Sequence, residues 1–153
     1  RQDRQEAGEE ILTREIGRNE LAAIEALHAY VDAQQSYFAM NQKYAQKIVS
    51  SKGKKDGLYW PGAPGETPSP LGPAFSPPQS GAGYHGYRFR IMPDKNGFAM
   101  VAWPVNYGQT GVMSFVINQD DAVYQADRGN DSAQKAQALS EYQPDKTWQP
   151  VTP

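Results

Sequence analysis

The sequence predicts an α+β fold in one domain: a long N-terminal helix packed on a four-stranded antiparallel meander, followed by a short C-terminal helix. Three observations carry this. Residues 19–51 place Leu21, Ile24, Leu27, Val31, Phe38, Ala45 and Ile48 near one stripe at spacings of three and four, the period of an amphipathic helix. Residues 84–128 instead hold four strand-like runs separated by short, turn-rich loops. Between them, residues 52–83 contain most of the prolines and half the glycines, a density that no helix or ladder survives.

Taken in order, residues 1–18 are strongly charged, with Ile11, Leu12 and Ile16 at helical spacing. Gly17 is placed to close a short first helix as its C′ residue, and Asn19 to cap the long one, with Glu20 as an acid in its first turn. A single kinked helix is the alternative. As one helix, residues 19–51 span about 50 Å. An apolar stripe of that length cannot be buried by the helix itself, so elements downstream must cover it. His28 has Glu25 and Asp32 a turn to either side. That spacing fits a charge-tuned imidazole, and fits equally an exposed histidine among ordinary surface acids.

The basic run at 52–55 reads as a solvated helix end. Leu58, Tyr59, Trp60, Leu71 and Phe75 distinguish the following stretch from a flexible linker, and it is expected to be an ordered, irregular strap laying apolar anchors over the core. Tyr87, Phe89 and Ile91 alternate with Arg88, Arg90 and Met92, a half-buried strand. Residues 93–97 are a hairpin loop, and residues 98–103 form an apolar run suited to a central strand covered on both faces. Residues 112–118 and 122–126 complete the meander, with a turn at 119–121. Residues 132–142 form a short helix, capped by Asn130 or Asp131 and stopped before Pro144, with Ala136 and Leu139 inward. Trp148 in the tail is expected to pack down.

Composition narrows the function. Fifteen basic against seventeen acidic residues give a net charge of −2, and no basic run is long enough to neutralise several phosphates, so a nucleic-acid partner is not expected. There are no cysteines, hence no disulfides or thiolate metal sites. No apolar run approaches the roughly eighteen residues that a bilayer span requires. Ser114 lacks the flanking glycines of a nucleophile elbow, and the glycines at 81–86 precede a strand where a phosphate cradle would open a helix. Asn118, Asp120, Asp121, Asp127 and Asp131 offer oxygen ligands, but a strand length separates them and they read as turn acids. Neither a metal nor another cofactor is expected. One set of side chains invites a ligand: Tyr59, Trp60, Tyr84, Tyr87, Trp103 and Tyr107, with His85 among them. Exposed, they make a platform for a glycan or peptide; buried, they are core packing. The ligand-binding set expected is Tyr59, Trp60, Tyr84, His85 and Tyr107.

IGRNELAAIEALHAYVDAQQSY, KKDGLYWP, SPLGP, YHGYRFRI, GFAMVAWPVNYGQTGVMSFVINQ and VYQADRG run through nearly the whole chain. In that order they resemble an uncharacterised bacterial exported family, domain of unknown function twenty-nine-fifty. The resemblance implies a periplasmic or otherwise exported protein, with Arg1 beginning the C-terminal piece of a longer precursor. It also implies a longer loop between the first two strands in relatives than residues 93–97 supply here. More distantly, the long helix followed by GYRF, a hairpin and TGVMSFVINQ is similar to the head of type IV pilins and pseudopilins. Their hydrophobic N-terminal helix half has no counterpart in this chain, so filament formation is not expected. The function expected is a non-catalytic binding or envelope-assembly module with a glycan or an envelope protein as partner. The alternative is a hydrolase or lyase acting on an envelope polymer through His85 and a nearby acid.

Overall fold

The computed structural model describes residues 2–61, 64–65, 68–71, 84–92, 97–139, 142, 144 and 146–151. The architecture is α+β. Helix α1 (Gln2–Asn41) lies on one face of an antiparallel sheet of β1 (Tyr87–Met92), β2 (Ala99–Pro104), β3 (Met113–Asn118), β4 (Tyr124–Asp127) and β5 (Gln149–Pro150), in that spatial order. A 3-10 turn (Gly129–Asp131) leads into α2 (Ser132–Ala138) on the other face.

The helix differs from the expectation at both ends. It runs unbroken through Gly17, where an added Cβ would meet nothing within 4 Å. An exposed mid-helix glycine costs about 1 kcal/mol against alanine, too little to break a helix flanked by Glu, Ala, Leu and Arg. Asn19 is therefore a mid-helix residue. Its Nδ2 donates to Thr110 O at 2.9 Å, and Glu20 accepts from the N–H groups of Met113 (2.9 Å) and Val112 (3.2 Å).

At the other end α1 stops at Asn41, so residues 42–51 are not helical. Gln42 turns left-handed (φ 63°) while its N–H bonds Phe38 O at 2.8 Å, a termination that leaves α1 without a glycine. Gln34 secures the reversal. Its amide is fully buried, donates to Ala45 O and accepts from Ala45 N, both at 2.8 Å, and so copies one strand pairing in side-chain form. The stripe that meets the sheet is Ala23, Ala26, Leu27, Tyr30, Val31, Ala33 and Tyr37, with Ile24 half-buried beside it. Leu21 (57% exposed) and Phe38 (39%) lie off it, and Ala45 and Ile48 reach the core from the segment after the helix.

The sheet register is a simple meander, with Phe89 opposite Ala102, Ala102 opposite Phe115 and Phe115 opposite Gln125. Its α1 face carries Tyr87, Phe89, Met100, Ala102, Phe115 and Ile117; its α2 face carries Met92, Val101, Trp103, Val116 and Ala126 under Ala136 and Trp148. Strand β2 is buried at every residue, as a strand covered on both sides must be. Five strands replace the expected four because Gln149 and Pro150 pair with Gln125 and Tyr124, extended by Val151 N donating to Val123 O at 2.9 Å. A glutamine and a proline give no strand signal of their own.

Helix α2 is shorter than expected. Leu139 is already extended, and Arg90 Nη2 donates to the carbonyls of Ala136 (2.8 Å) and Leu139 (2.7 Å) at the helix end. Neither Asn130 nor Asp131 caps α2 by its side chain. The entry is instead pinned by Ser132 Oγ donating to Gly129 O at 2.6 Å. Residues 93–96 of the expected hairpin, and Phe75 of the strap, lie outside the described residues.

Candidate functional site

The segment after α1 builds a cleft. Ala45, Leu58, Trp60 and Leu71 are buried, and Ile48 and Tyr59 are half-buried on the core. Between them the chain pairs with itself: Tyr59 N donates to Ile48 O (2.8 Å) and Ser50 N to Tyr59 O (2.9 Å), around a parallel bridge from Val49 to Tyr59. The intervening residues must leave this pairing and return to it within a few positions. Gly53 supplies the left-handed turn (φ 76°), and Lys54 N bonds Ser51 O at 2.9 Å. Gly57 makes the return. A Cβ there would lie 2.8 Å from both Ser50 N and Val49 C, so only glycine passes so close to the backbone.

Asp56 locks the loop. Its carboxylate accepts from Ser51 N at 2.7 Å, from Ser51 Oγ at 3.0 Å and from Lys47 Nζ at 3.0 Å. The Ser51 backbone bond first, then Lys47, holds its carboxyl well below the ordinary carboxylate range. Ser50 Oγ closes the other side by accepting from Gly57 N at 2.8 Å.

The loop encloses a cleft of about 650 Å³, lined by residues 49–55 and 59–61. Its rim is cationic. Lys52, Lys54 and Lys55 are all exposed and line it, while Asp56 is engaged by Lys47 and Ser51. Its wall is aromatic, with Tyr59 half-buried and Trp60 only 4% exposed beneath Lys55, whose Nζ stands 5.6 Å from the ring centroid.

The five residues singled out from the sequence thus occupy separate places. Tyr59 and Trp60 share this cleft. His85 and Gly86, both left-handed (φ 49° and 77°), form the two-residue turn into β1, and Tyr84 and Tyr87 on either side of it exchange backbone hydrogen bonds (2.9 and 3.0 Å). His85 is exposed, its ring edge-on to Tyr84 at 4.6 Å, and among the described residues no carboxylate is hydrogen-bonded to it. Tyr107 donates to Asp127 Oδ1 at 2.7 Å, and that bond raises the tyrosine hydroxyl above its usual range. Of the wider aromatic set, Tyr87 is core and Trp103 faces α2.

Other sequence features also find structural partners. His28 Nδ1 donates to Asp121 Oδ1 at 2.7 Å, joining α1 to the β3–β4 turn, in place of a pairing with Glu25 or Asp32. Ser114 is buried against the α2 face, and neither histidine is hydrogen-bonded to it. Asp127 Oδ1 also accepts from Gly129 N at 3.0 Å, and Asn118 Oδ1 from Asp120 N at 3.1 Å, so these acids and amides shape turns. Sequence reasoning passed over the lysines at 52, 54 and 55 as a helix end. The available signal was Asp56-Gly57 after them and Ser50-Ser51 before: turn formers at both ends of a basic run make a loop.

A family model described as a protein of unknown function (DUF2950) matches residues 1–96 and 94–151, and the two matched segments meet in the β1–β2 connection. No curated protein matches the chain.

Proposed function

The chain belongs to the DUF2950 family, and from that premise we propose that it is a non-catalytic binding domain which takes an anionic ligand in the cleft of residues 49–61. The preformed cationic cleft carries this reading. Three lysines stand on a loop fixed by Asp56 and Gly57, so little ordering remains to be done when a ligand arrives. The volume lies within the range of roughly 300–1,000 Å³ for ligand sites. A setting outside the cytoplasm and a pilin-like plan of one long helix on an antiparallel sheet accord with this role, as an exported module that holds or docks an envelope component.

The competing enzyme reading needs His85 beside a carboxylate in a concave site. His85 stands instead on an exposed turn, and the histidine that does meet an acid, His28, ties two elements together at the surface.

Titration with polyacrylate, an anion carrying no sugar, tests the reading by calorimetry. Replacing Lys52, Lys54 and Lys55 together by serine is expected to weaken binding at least tenfold, with the melting midpoint unchanged. Equal binding by the variant would remove the cleft from the function. Incubation with polygalacturonate or alginate is expected to yield no new reducing ends and no unsaturated uronate; either product would make the protein an enzyme.

A further inference from the structure

Resting on the binding reading above, we propose that the anion met by this end of the molecule is the surface of a bilayer rich in anionic lipid headgroups, with Phe38 and Met40 entering its interfacial layer. Charge is the first observation. Residues 38–61 hold five lysines and a single acid, Asp56, whereas the rest of the chain holds ten basic and sixteen acidic residues. The segment is therefore cationic by four charges and the remainder anionic by six. A negative surface attracts the first and repels the second, which turns this end of the molecule toward it. Contacts keep the segment together. Gln34 holds Ala45 against α1, and Lys47, two residues on, donates to Asp56 at the base of the lysine loop. Lys43 thus belongs to the same end as Lys52 and Lys54, and all three are exposed.

Charge alone does not choose a bilayer, since any polyanion answers it. The apolar side chains do. Of the four large apolar side chains exposed among the described residues, Ile11 follows Glu9 and Glu10, and Leu21 follows Glu20. Phe38 (39% exposed) and Met40 (47%) instead stand just before Lys43. A charged polymer in water has no place for them, whereas the boundary between headgroups and acyl chains has. Tyr44 is stacked on Phe38 with ring centroids 4.7 Å apart, and adds a ring with a polar tip of the kind that settles at that depth. Lys43 beside it extends its ammonium to the headgroups while its stem lies along the apolar layer.

A protein partner with an acidic, apolar site is the competing occupant. Phe38 and Met40 are two positions apart on α1, about 200° around the helix. They flank the helix end on opposite sides and make no single face for a rigid groove. A fluid interface takes both when the helix end meets it tip first. The carbonyls at that tip are suited to the approach. Those of Tyr37 and Phe38 already accept from Asn41 Nδ2 (3.1 Å) and Gln42 N (2.8 Å), so they lose little on leaving water. The partial negative charge of the helix C-terminus, about half an electron, is offset by Lys43 just beyond it.

The test presents the whole chain, at fixed low salt, with vesicles of phosphatidylcholine alone, vesicles of equal parts phosphatidylcholine and phosphatidylglycerol, and soluble polyacrylate. The chain has no cysteine, so Met40→Cys and Leu21→Cys each carry one environment-sensitive fluorophore. The dye at 40 is expected to shift to the blue with the anionic vesicles and with neither other probe, while the dye at 21 stays unchanged with all three. Met40→Ser is expected to weaken co-sedimentation with the anionic vesicles about fivefold, as half-burial of such a side chain implies. Its polyacrylate affinity stays as in wild type, which also reports that the variant is folded. Polyacrylate binding without vesicle binding, or vesicle binding with no shift at 40, overturns the bilayer inference and leaves the anion cleft standing. A shift at both positions overturns it too, because the basic end is then not what faces the lipid. Equal binding to phosphatidylcholine vesicles removes charge from the contact and overturns it likewise. Failure to bind either the anionic vesicles or polyacrylate removes the binding reading together with it.

Discussion

Tyr30 and Tyr87 show how single side chains join α1 to the sheet. Both rings are fully buried, and each hydroxyl donates to a backbone carbonyl, Tyr30 to Ala99 at 3.2 Å and Tyr87 to Met113 at 2.6 Å. Burial, above all, raises both phenols far beyond their ordinary value, and for Tyr87 the nearby Glu20 carboxylate adds to the rise. An unfolded tyrosine gives up its proton near pH 10. Above that pH the unfolded chain binds fewer protons than the native one, so stability falls as pH rises. Tyr87→Phe removes one such group together with one hydrogen bond, the latter worth about 1 kcal/mol. The variant is therefore expected to melt lower than wild type at pH 7, with the gap narrowing or reversing above about pH 10. Parallel melting curves across that range would show that Tyr87 does not hold its proton. Gly111 belongs to the same arrangement, since a Cβ there would run into the Tyr87 ring.

At the level of elements, α1 sorts its leucines by face. Leu27 is fully buried on the sheet, and Leu21 is 57% exposed although both sit in the same apolar period. Leu27→Ala is expected to cost about 2–5 kcal/mol and Leu21→Ala less than about 0.5 kcal/mol, measured by denaturant titration. Equal costs would misplace the helix on the sheet. The sheet was largely legible in the sequence, because alternation in β1 and the apolar run of β2 each have one structural solution next to short turns. The helix boundaries were not. Ala45 and Ile48 continue the period of α1 by coincidence, and the break depends on a buried contact between Gln34 and Ala45 that no local pattern records. β5 was illegible for a related reason: pairing with β4 alone makes those two residues a strand. Of the site, the Tyr59–Trp60 half could be read from aromatic character. The lysines were legible only as a loop, from the turn formers on either side of them; that they form a rim comes from the contacts Asp56 and Gly57 make in the fold.

The molecule as a whole is a sheet clasped from both sides, with β2 between the α1 and α2 cores and α1 far longer than the sheet it covers. Forty residues of helix span about 60 Å. Among the described residues, the hydrogen bonds from α1 to the β2–β3 connection and β3 begin at Asn19 and Glu20, and its buried core residues at Ala23. Ile11 is 55% exposed, and a Cβ on Gly8 or Gly17 would touch nothing. Among the described side chains, residues 8–16 thus add helix without adding core. Most helical stability in a folded protein comes from packing one face, so this overhang should be coupled only weakly to global unfolding. A chain beginning at Gly17 is expected to melt within about 2 °C of the parent, since 1 kcal/mol moves the midpoint of a domain this size by roughly 2–4 °C. The cleft of residues 49–61 stands after the opposite end of α1, so polyacrylate affinity should be equally unchanged. A fall of many degrees would mean that the overhang is packed in solution, against the rest of the chain or another copy. Sedimentation of the parent chain separates those two cases, because only the second makes the molecular mass depend on concentration.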